Sequence, residues 1–369
     1  MRTQNMGNAK VQYPNEISFA FNPQKILFTR QFAPGMPVEK IVMSLFSYEL
    51  PSNFTEEREV TEMLWYSPIF AQFDISRYLQ LAKSFIVEKN GQRLITSFQY
   101  YCNITLYREG GGIMNFDFES TAIFGAINIG DVFNPSRQIT WFRQFPFNVS
   151  VFLKSGTNQQ YRIDGGQTQS IGGTPSTDIH VLNPATFGGT AQKSMQYIFG
   201  GVVNTFDFTF NYTFHQTSGT ELFVDLEIND CTKGVYLRWL DKHGFYQYYL
   251  FEKATETLKN ENNGDRIELD FTDGNEFYHG ISTQNKNETK ELKCATALTD
   301  RNTREMLKTI FSSPIVEMYI GEVGTNNLDY NSDNAFVSVI VTAGSYTPNG
   351  QDLQDFEVVI SLVRQTQGF

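Results

Sequence analysis

The sequence predicts a mainly β fold, built as antiparallel β-sandwich or barrel-like domains with one or two short packed helices. Aromatic residues make up 15% of the 369-residue chain, with 33 Phe and 18 Tyr, and this bias favours strands. Short runs of apolar and aromatic residues recur between Gly, Pro and Asn turn signals. Apolar residues at helical spacing define only two segments.

Strand signals dominate the N-terminal half. The predicted strands cover residues 16–21, 25–29, 38–48, 94–106, 114–126, 139–142 and 149–153. Residues 52–64 contain the run Glu-Glu-Arg-Glu and predict a loop or a short helix. Residues 73–83 predict a short helix, with Asp74 or Ser76 as its cap. Its apolar face is Ile75, Tyr78, Leu79 and Ala82.

Residues 155–195 differ in composition from the rest of the chain, because Gly, Gln, Ser and Thr dominate them. Such a composition is typical of a long loop or a linker. The sequence therefore predicts an N-terminal β domain at 1–154, a loop or linker at 155–195, and a C-terminal β domain at 196–369.

The C-terminal half contains a hairpin, a helix and several strands. The hairpin is predicted at 234–251, around the turn Asp-Lys-His-Gly. A helix at 302–311 is predicted by apolar residues on one face, a cap at Asp300 or Asn302, and a stop at Pro314. The predicted strands cover 206–214, 221–228, 267–271, 315–320, 335–342 and 356–363. Residues 256–266 and 275–298 are polar and carry no strand prediction.

The hairpin is aromatic on both faces, which leaves two interpretations open. A strand between two packed layers is apolar on both sides, and so is one whose second face binds another chain. We favour the second, with one face packed on its own domain and the Tyr246 and Tyr248 side meeting another subunit. The candidate subunit-interface residues are Tyr236, Arg238, Tyr246 and Tyr248. A Tyr248→Asp change would then leave the monomer folded and block assembly, whereas unfolding would mean that both faces are core.

Composition and charge exclude several classes of protein. The net charge is -11 and no basic block occurs, so sequence-specific nucleic-acid binding is not expected. Three scattered cysteines, Cys102, Cys231 and Cys294, predict reduced and mostly buried thiols. No apolar run resembles a signal peptide or a membrane span, so we expect a chain that folds in a cytoplasm and has no membrane partner.

Catalytic, cofactor and metal signatures are absent from the sequence, so we expect no enzyme and no cofactor. The four histidines lack metal-ligand spacing, and there is no nucleophile elbow or phosphate loop. Asp270, Asp273 and Glu276 suggest calcium ligands, but a turn explains them better. Aromatic residues on a β surface would also suit sugar binding, because aromatic rings stack on the faces of pyranose rings. The three tryptophans, Trp65, Trp141 and Trp239, are nevertheless interpreted as core or subunit-contact residues.

Three stretches resemble structural tail proteins of phages and prophages that infect Bacteroidetes-type bacteria. They are residues 14–23 with 73–79, the hairpin 234–251, and the run 303–363. The resemblance implies a mainly β tail or baseplate subunit, similar in role to a distal tail protein, in which a β-sandwich with a flanking helix builds a ring around a channel. The Gly- and Gln-rich stretch at 155–195 departs from that pattern.

The resemblance and the composition predict the same function, a virion subunit that assembles in the host cytoplasm. Its expected partners are copies of itself in a ring and other tail proteins. Two alternatives remain open. One is a head-associated or head-to-tail connector protein, which gene order would separate from a tail protein. The other is a carbohydrate- or receptor-binding module, which a glycan array would detect.

Overall fold

The chain adopts a mainly β fold, as the sequence predicts. The computed structural model describes residues 1–6, 9–30, 38–48, 50–60, 69–82, 93–94, 97–126, 137–153, 159–163, 167, 169–171, 178–182, 194–200, 203–209, 211–217, 221–262, 266–269, 280–283, 286–323, 335–344 and 352–362. Strand accounts for 61% of the structure and helix for 8%, and one of its antiparallel sheets is curled like half a barrel.

Two compact units divide the chain, at boundaries other than the predicted ones. The first unit contains Met1–Asp230 and Leu240–Gln247, and the second contains Cys231–Trp239 and most of the chain after Tyr248. Residues 196–230 therefore belong to the N-terminal unit. The segment 155–195 is not a plain linker, because strands form within it and pair in the sheets of the first unit.

The first unit is built from strands β1 to β19. In chain order they are β1 (Arg2–Met6), β2 (Ala9–Tyr13), β3 (Ile17–Phe19), β4 (Lys25–Arg30), β5 (Val38–Phe46), β6 (Phe54–Glu59), β7 (Ile69–Asp74), β8 (Arg93–Leu94), β9 (Ser97–Arg108), β10 (Ile113–Ile123), β11 (Arg137–Phe142), β12 (Val149–Leu153), β13 (Gln159–Ile163), β14 (Gln169–Ile171), β15 (Asp178–Leu182), β16 (Ser194–Gly200), β17 (Val203–Thr209), β18 (Asn211–Thr217) and β19 (Glu221–Asn229). Its sheets have the orders β1-β2-β4-β7, β3-β10-β9-β5-β6, β11-β19-β16-β13-β14, β12-β15-β8 and β17-β18.

The core of the first unit includes one face of β5 and aromatic rings that join two of its sheets. Ile41, Met43 and Leu45 alternate along β5 and are fully buried, while the residues between them face outward. Tyr13 on β2 contacts Phe118 on β10, with ring centroids 4.8 Å apart. This contact joins the sheet of β2 to the sheet of β10.

One sequence prediction in this unit was wrong in kind, and another was right in kind but missed a turn. The charged segment 52–64 contains the edge strand β6, which pairs antiparallel with β5. Backbone pairing and the Lys40–Glu57 ion pair, at 2.5 Å, hold charged residues in a strand at the sheet edge. The predicted strand 206–214 is instead split between β17 and β18, which pair antiparallel from Val203↔Thr217 to Thr209↔Asn211.

The helix predicted at 73–83 is confirmed but shorter, as α1 (Ser76–Leu79). The carboxylate of Asp74 accepts hydrogen bonds from the Ser76 backbone N–H at 3.0 Å and from the Ser76 hydroxyl at 2.7 Å. Asp74 therefore stabilises the first turn as a capping side chain, although Ile75 occupies the N-cap position itself.

The second unit contains the pair β23-β24 and a seven-stranded sheet of order β21-β20-β26-β27-β28-β25-β22, except that Leu240, Tyr246 and Gln247 at the hairpin end of β20 and β21 belong to the first unit. These strands are β20 (Val235–Leu240), β21 (Tyr246–Phe251), β22 (Lys253–Asn262), β23 (Arg266–Leu269), β24 (Gly280–Thr283), β25 (Lys286–Ala295), β26 (Val316–Tyr319), β27 (Phe336–Ala343) and β28 (Glu357–Leu362). The polar stretches 256–266 and 275–298, which carry no strand prediction, contribute to β22 and β25.

The predicted helix at 302–311 is confirmed as α2 (Arg301–Leu307), continued by a 3-10 helix at Lys308–Ser312. Asp300 caps it, because its carboxylate accepts a hydrogen bond from the Thr303 backbone N–H at 3.0 Å. Leu307 and Ile310 are fully buried. The helix therefore packs through its apolar face, as its spacing predicts.

Candidate functional site: the aromatic hairpin

The hairpin forms where the sequence predicts it, and Asp241 organises its turn. One oxygen of the Asp241 carboxylate accepts hydrogen bonds from the backbone N–H groups of His243, at 2.8 Å, and Phe245, at 2.9 Å. The other accepts from the Gln247 amide nitrogen at 2.8 Å. Gly244 has φ of 79°, a conformation that a side chain disfavours. The turn is therefore closed by one buried carboxylate.

All four candidate interface residues are buried within the single chain. Tyr236 is 1% exposed, Arg238 8%, Tyr246 2% and Tyr248 1%. Tyr246 belongs to the first unit and the other three to the second. The expectation of an open aromatic face is therefore corrected: every residue of β21 is buried, as in a strand covered on both faces by its own protein.

Tyr236, Arg238 and Tyr248 belong to an aromatic cluster of the second unit. The Tyr236 ring stacks on the Tyr248 ring, with centroids 6.2 Å apart, and meets the Tyr319 ring edge-on at 6.3 Å. Tyr319 in turn contacts Phe336, with centroids 5.2 Å apart. These offset and edge-on arrangements are the favourable ones for aromatic rings. The cluster therefore ties β20 and β21 to β26 and β27.

A buried ion pair completes this cluster. The Nε of Arg238 donates to a carboxylate oxygen of Glu317 at 2.7 Å, and the two side chains are 10% and 12% exposed. The Arg238 guanidinium also lies 3.8 Å from the centroid of the Phe336 ring. Arg238 thus has a carboxylate and an aromatic face as partners, and both hold it inside the sheet.

The described ranges hold no cluster of metal ligands, and two of the three thiols are buried. Three or more His, Cys, Asp or Glu residues nowhere come close enough there to hold a metal ion. Burial raises the pKa of Cys102 above its usual range and that of Cys294 to about 12, so both thiols are protonated at neutral pH. The suggested calcium ligands Asp270, Asp273 and Glu276 lie outside the described residues.

The tryptophans do not form a sugar-binding platform in the part of the chain that is described. Trp141 is 3% exposed and Trp239 is fully buried, with its indole N–H donating to the Thr309 hydroxyl at 2.8 Å. Trp65 lies outside the described residues. Exposed aromatic rings occur elsewhere, at Phe46, Tyr48 and Tyr101, which the sequence did not single out because isolated aromatics in strands are usually core.

Comparison with known proteins adds no relative to these observations. Across the described residues, no helix combines the length and the apolar character that a membrane span requires. Neither a protein-family model nor a curated protein matches the chain.

Proposed function

We propose that this chain is a structural subunit of a bacteriophage virion, a tail or baseplate component that assembles with copies of itself into a ring and binds neighbouring tail proteins. Support comes from the resemblance of residues 14–23 with 73–79, 234–251 and 303–363 to such proteins. The mainly β fold with a packed helix agrees with what that resemblance implies.

The observation that carries the proposal is a two-stranded ribbon in the second unit. Strands β22 and β25 pair over their whole length, from Lys253↔Ala295 to Asn262↔Lys286. Strand β25 pairs with β28 only between Glu291 and Ala295. The outer half of the ribbon, which is about 17 Å long at 3.3–3.4 Å per residue, has no third strand among the described residues. Strands β23 and β24, which lie between β22 and β25 in the sequence, pair with each other.

Such a ribbon is better explained by assembly than by the stability of the monomer. A two-stranded ribbon alone is only marginally stable in water, because it has no layer to cover it. Where β22 leads into this outer half, its side chains from Lys253 to Leu258 are all exposed, and Leu258 keeps 57% of its surface in solvent. A neighbouring subunit that covers this ribbon would stabilise it, which is how an arm joins the members of a ring.

The test removes the outer ribbon and asks whether assembly is lost while folding is kept. Residues 259–289 are replaced by an Asn-Gly turn, which joins the register partners Leu258 and Lys290 with a two-residue hairpin loop. We expect the full chain to form rings in electron microscopy and native mass spectrometry, alone or with neighbouring tail proteins, and the shortened chain to stay monomeric with an unchanged circular dichroism spectrum.

A matched control changes another hairpin tip. Gly111 has φ of 86° and open space around it, and Asn tolerates that conformation, so Gly111→Asn should leave assembly intact. A full-length chain that stays monomeric at every concentration and never joins particles contradicts the proposal. If the shortened chain forms rings equally well, assembly into a ring is supported, but the ribbon is not the contact between subunits.

A further inference from the structure

The outer face of the sheet β3-β10-β9-β5-β6 carries exposed aromatic rings at one end. Tyr101 on β9 is 53% exposed, and Phe46, its direct cross-strand partner on β5, is 38% exposed. Tyr48, two residues beyond Phe46, is fully exposed. Ser47 fixes this segment to β9, because its hydroxyl donates to the Gln99 carbonyl oxygen at 2.6 Å. Three neighbouring residues thus expose the apolar surface of their aromatic rings to water.

Polar side chains adjoin these rings in register. Glu119 on β10 lies directly opposite Tyr101, and Asp117 lies directly opposite Asn103. Direct cross-strand partners are about 5 Å apart and residues two apart on a strand are about 7 Å apart, so the four side chains outline one small square. That square is about the size of a single sugar ring.

Asp117 and the amide N–H groups of Asn103 remain available to a ligand, whereas the Tyr101 hydroxyl is engaged with Glu119. Thr105 donates its hydroxyl to the Asn103 amide oxygen at 3.3 Å, which leaves the amide N–H groups as donors. Asp117 is exposed, and no described residue forms a hydrogen bond or an ion pair with its carboxylate. Beside it, Glu119 raises the pKa of the Tyr101 hydroxyl, through its negative charge and by accepting a hydrogen bond from that hydroxyl. The face offers carboxylate acceptors, amide donors and an aromatic ring together.

We propose that this face is a carbohydrate-binding site that takes a neutral pyranose, with the Tyr101 ring against the apolar face of the sugar and Asp117 and Asn103 on its hydroxyl groups. A sugar ring has an apolar C–H face and a rim of hydroxyls that both donate and accept, which is the complement of this square. The carboxylates of Asp117 and Glu119 repel sialylated and uronic-acid sugars, phosphate groups and nucleic acid.

The proposed carbohydrate site does not depend on the proposed assembly of subunits into a ring. A monomer that binds sugar would support the carbohydrate site and leave the proposed assembly without support. An assembled ring of subunits that binds no sugar would support the assembly and contradict the carbohydrate site. In a virion subunit such a face would let the particle adhere to surface glycans of a cell.

The test is a titration of the full-length chain with defined sugars. Ligand-observed NMR and then calorimetry are run with neutral trisaccharides of glucose, mannose, galactose and N-acetylglucosamine, and with a sialylated trisaccharide as the anionic probe. We expect at least one neutral trisaccharide to bind with a dissociation constant on the order of 1 mM or tighter, and the sialylated one to bind more weakly.

Variants locate the binding on this face. Tyr101→Ala and Asp117→Ala should each weaken binding about tenfold, while Tyr101→Phe, which keeps the ring, should stay within about twofold. The control is Ile113→Ala, which removes an exposed apolar side chain from the same face of β10 and should leave affinity unchanged. All of these positions are solvent-facing, so melting curves should match the wild type.

Three outcomes overturn the inference. They are no binding of any neutral trisaccharide, tighter binding of the sialylated one, and binding that Tyr101→Ala and Asp117→Ala leave unchanged.

Discussion

Replacing Glu317 by Gln tests whether the ion pair inside the aromatic cluster stabilises the second unit. The change keeps the shape of the side chain and removes its charge, so the Arg238 guanidinium stays buried beside Phe336 without the negative charge of Glu317. Removing one partner of a buried pair costs about 3–5 kcal/mol. Because the two side chains keep 10% and 12% exposure, we expect the lower end, about 3 kcal/mol.

The control is an exposed ion pair in the same sheet. Lys293 and Glu357 lie 2.9 Å apart, but their side chains are 53% and 51% exposed. Exposed pairs contribute about 0–1 kcal/mol, so Glu357→Gln should change stability by less than about 1 kcal/mol. Both variants replace a paired Glu by Gln, so the difference between their losses of stability reports the effect of burial.

The free energy of unfolding is measured in urea, with tryptophan fluorescence as the signal. Equal losses of stability in Glu317→Gln and Glu357→Gln would refute the argument, since burial would then have no effect. A further check is the double change Arg238→Leu with Glu317→Leu, which removes both charges. It should recover most of the stability, because replacing a whole buried pair by apolar residues is often neutral or stabilising.

Three further perturbations test the burial and packing of the fold. Tyr248→Asp buries a carboxylate where the native side chain is 1% exposed, so soluble expression and melting temperature should collapse; a folded variant that fails only to assemble would restore the open-face interpretation. Burial raises the pKa of Tyr100 from 10.0 to about 12, so the phenol ionises first in the unfolded chain. The resulting contribution to the free energy of unfolding, about 3 kcal/mol, is fully present below pH 10 and is lost as the pH rises towards 12. In urea unfolding at a series of pH values, Tyr100→Phe should therefore lose less stability between pH 10 and 12 than the wild type does. An equal loss in both proteins would contradict this argument. A Cβ on Gly125 would collide with the Lys242 carbonyl oxygen, so Gly125→Ala should cost about 1–3 kcal/mol in the same assay, whereas Gly112→Ala, whose nearest contact is 3.7 Å away, should be neutral.

Elements with local signals were predictable from the sequence. The helix α2 follows from the Asp300 cap and the apolar spacing behind it, both of which lie within one short segment. The hairpin turn follows from Asp241 and Gly244 for the same reason. In each case a few neighbouring residues fix the backbone, so no distant partner has to be known.

Strands with exposed side chains were not predictable. β6 has the sequence Phe-Thr-Glu-Glu-Arg-Glu, and β22 begins Lys-Ala-Thr-Glu-Thr-Leu; both are largely exposed. A strand signal comes from one apolar face, which these strands lack. Backbone hydrogen bonds to β5 and β25 hold them in place, and such bonds leave no trace in side-chain type.

The interpretation of the aromatic hairpin depended on a partner far away in sequence. With apolar residues on both faces, the hairpin fits either an exposed docking face or a core strand. Arg238 is the residue that separates the two, because a charge in a doubly covered strand needs a carboxylate inside the protein. That carboxylate is Glu317, 79 residues further along the chain, and it reaches Arg238 only because β26 lies next to β20. The candidate interface residues could therefore be chosen from the sequence, but their burial could not: it follows from the order of strands in the sheet. Surfaces for binding must lie where the strand order leaves side chains uncovered, as on the outer face of β9 and β10 and along the ribbon of β22 and β25.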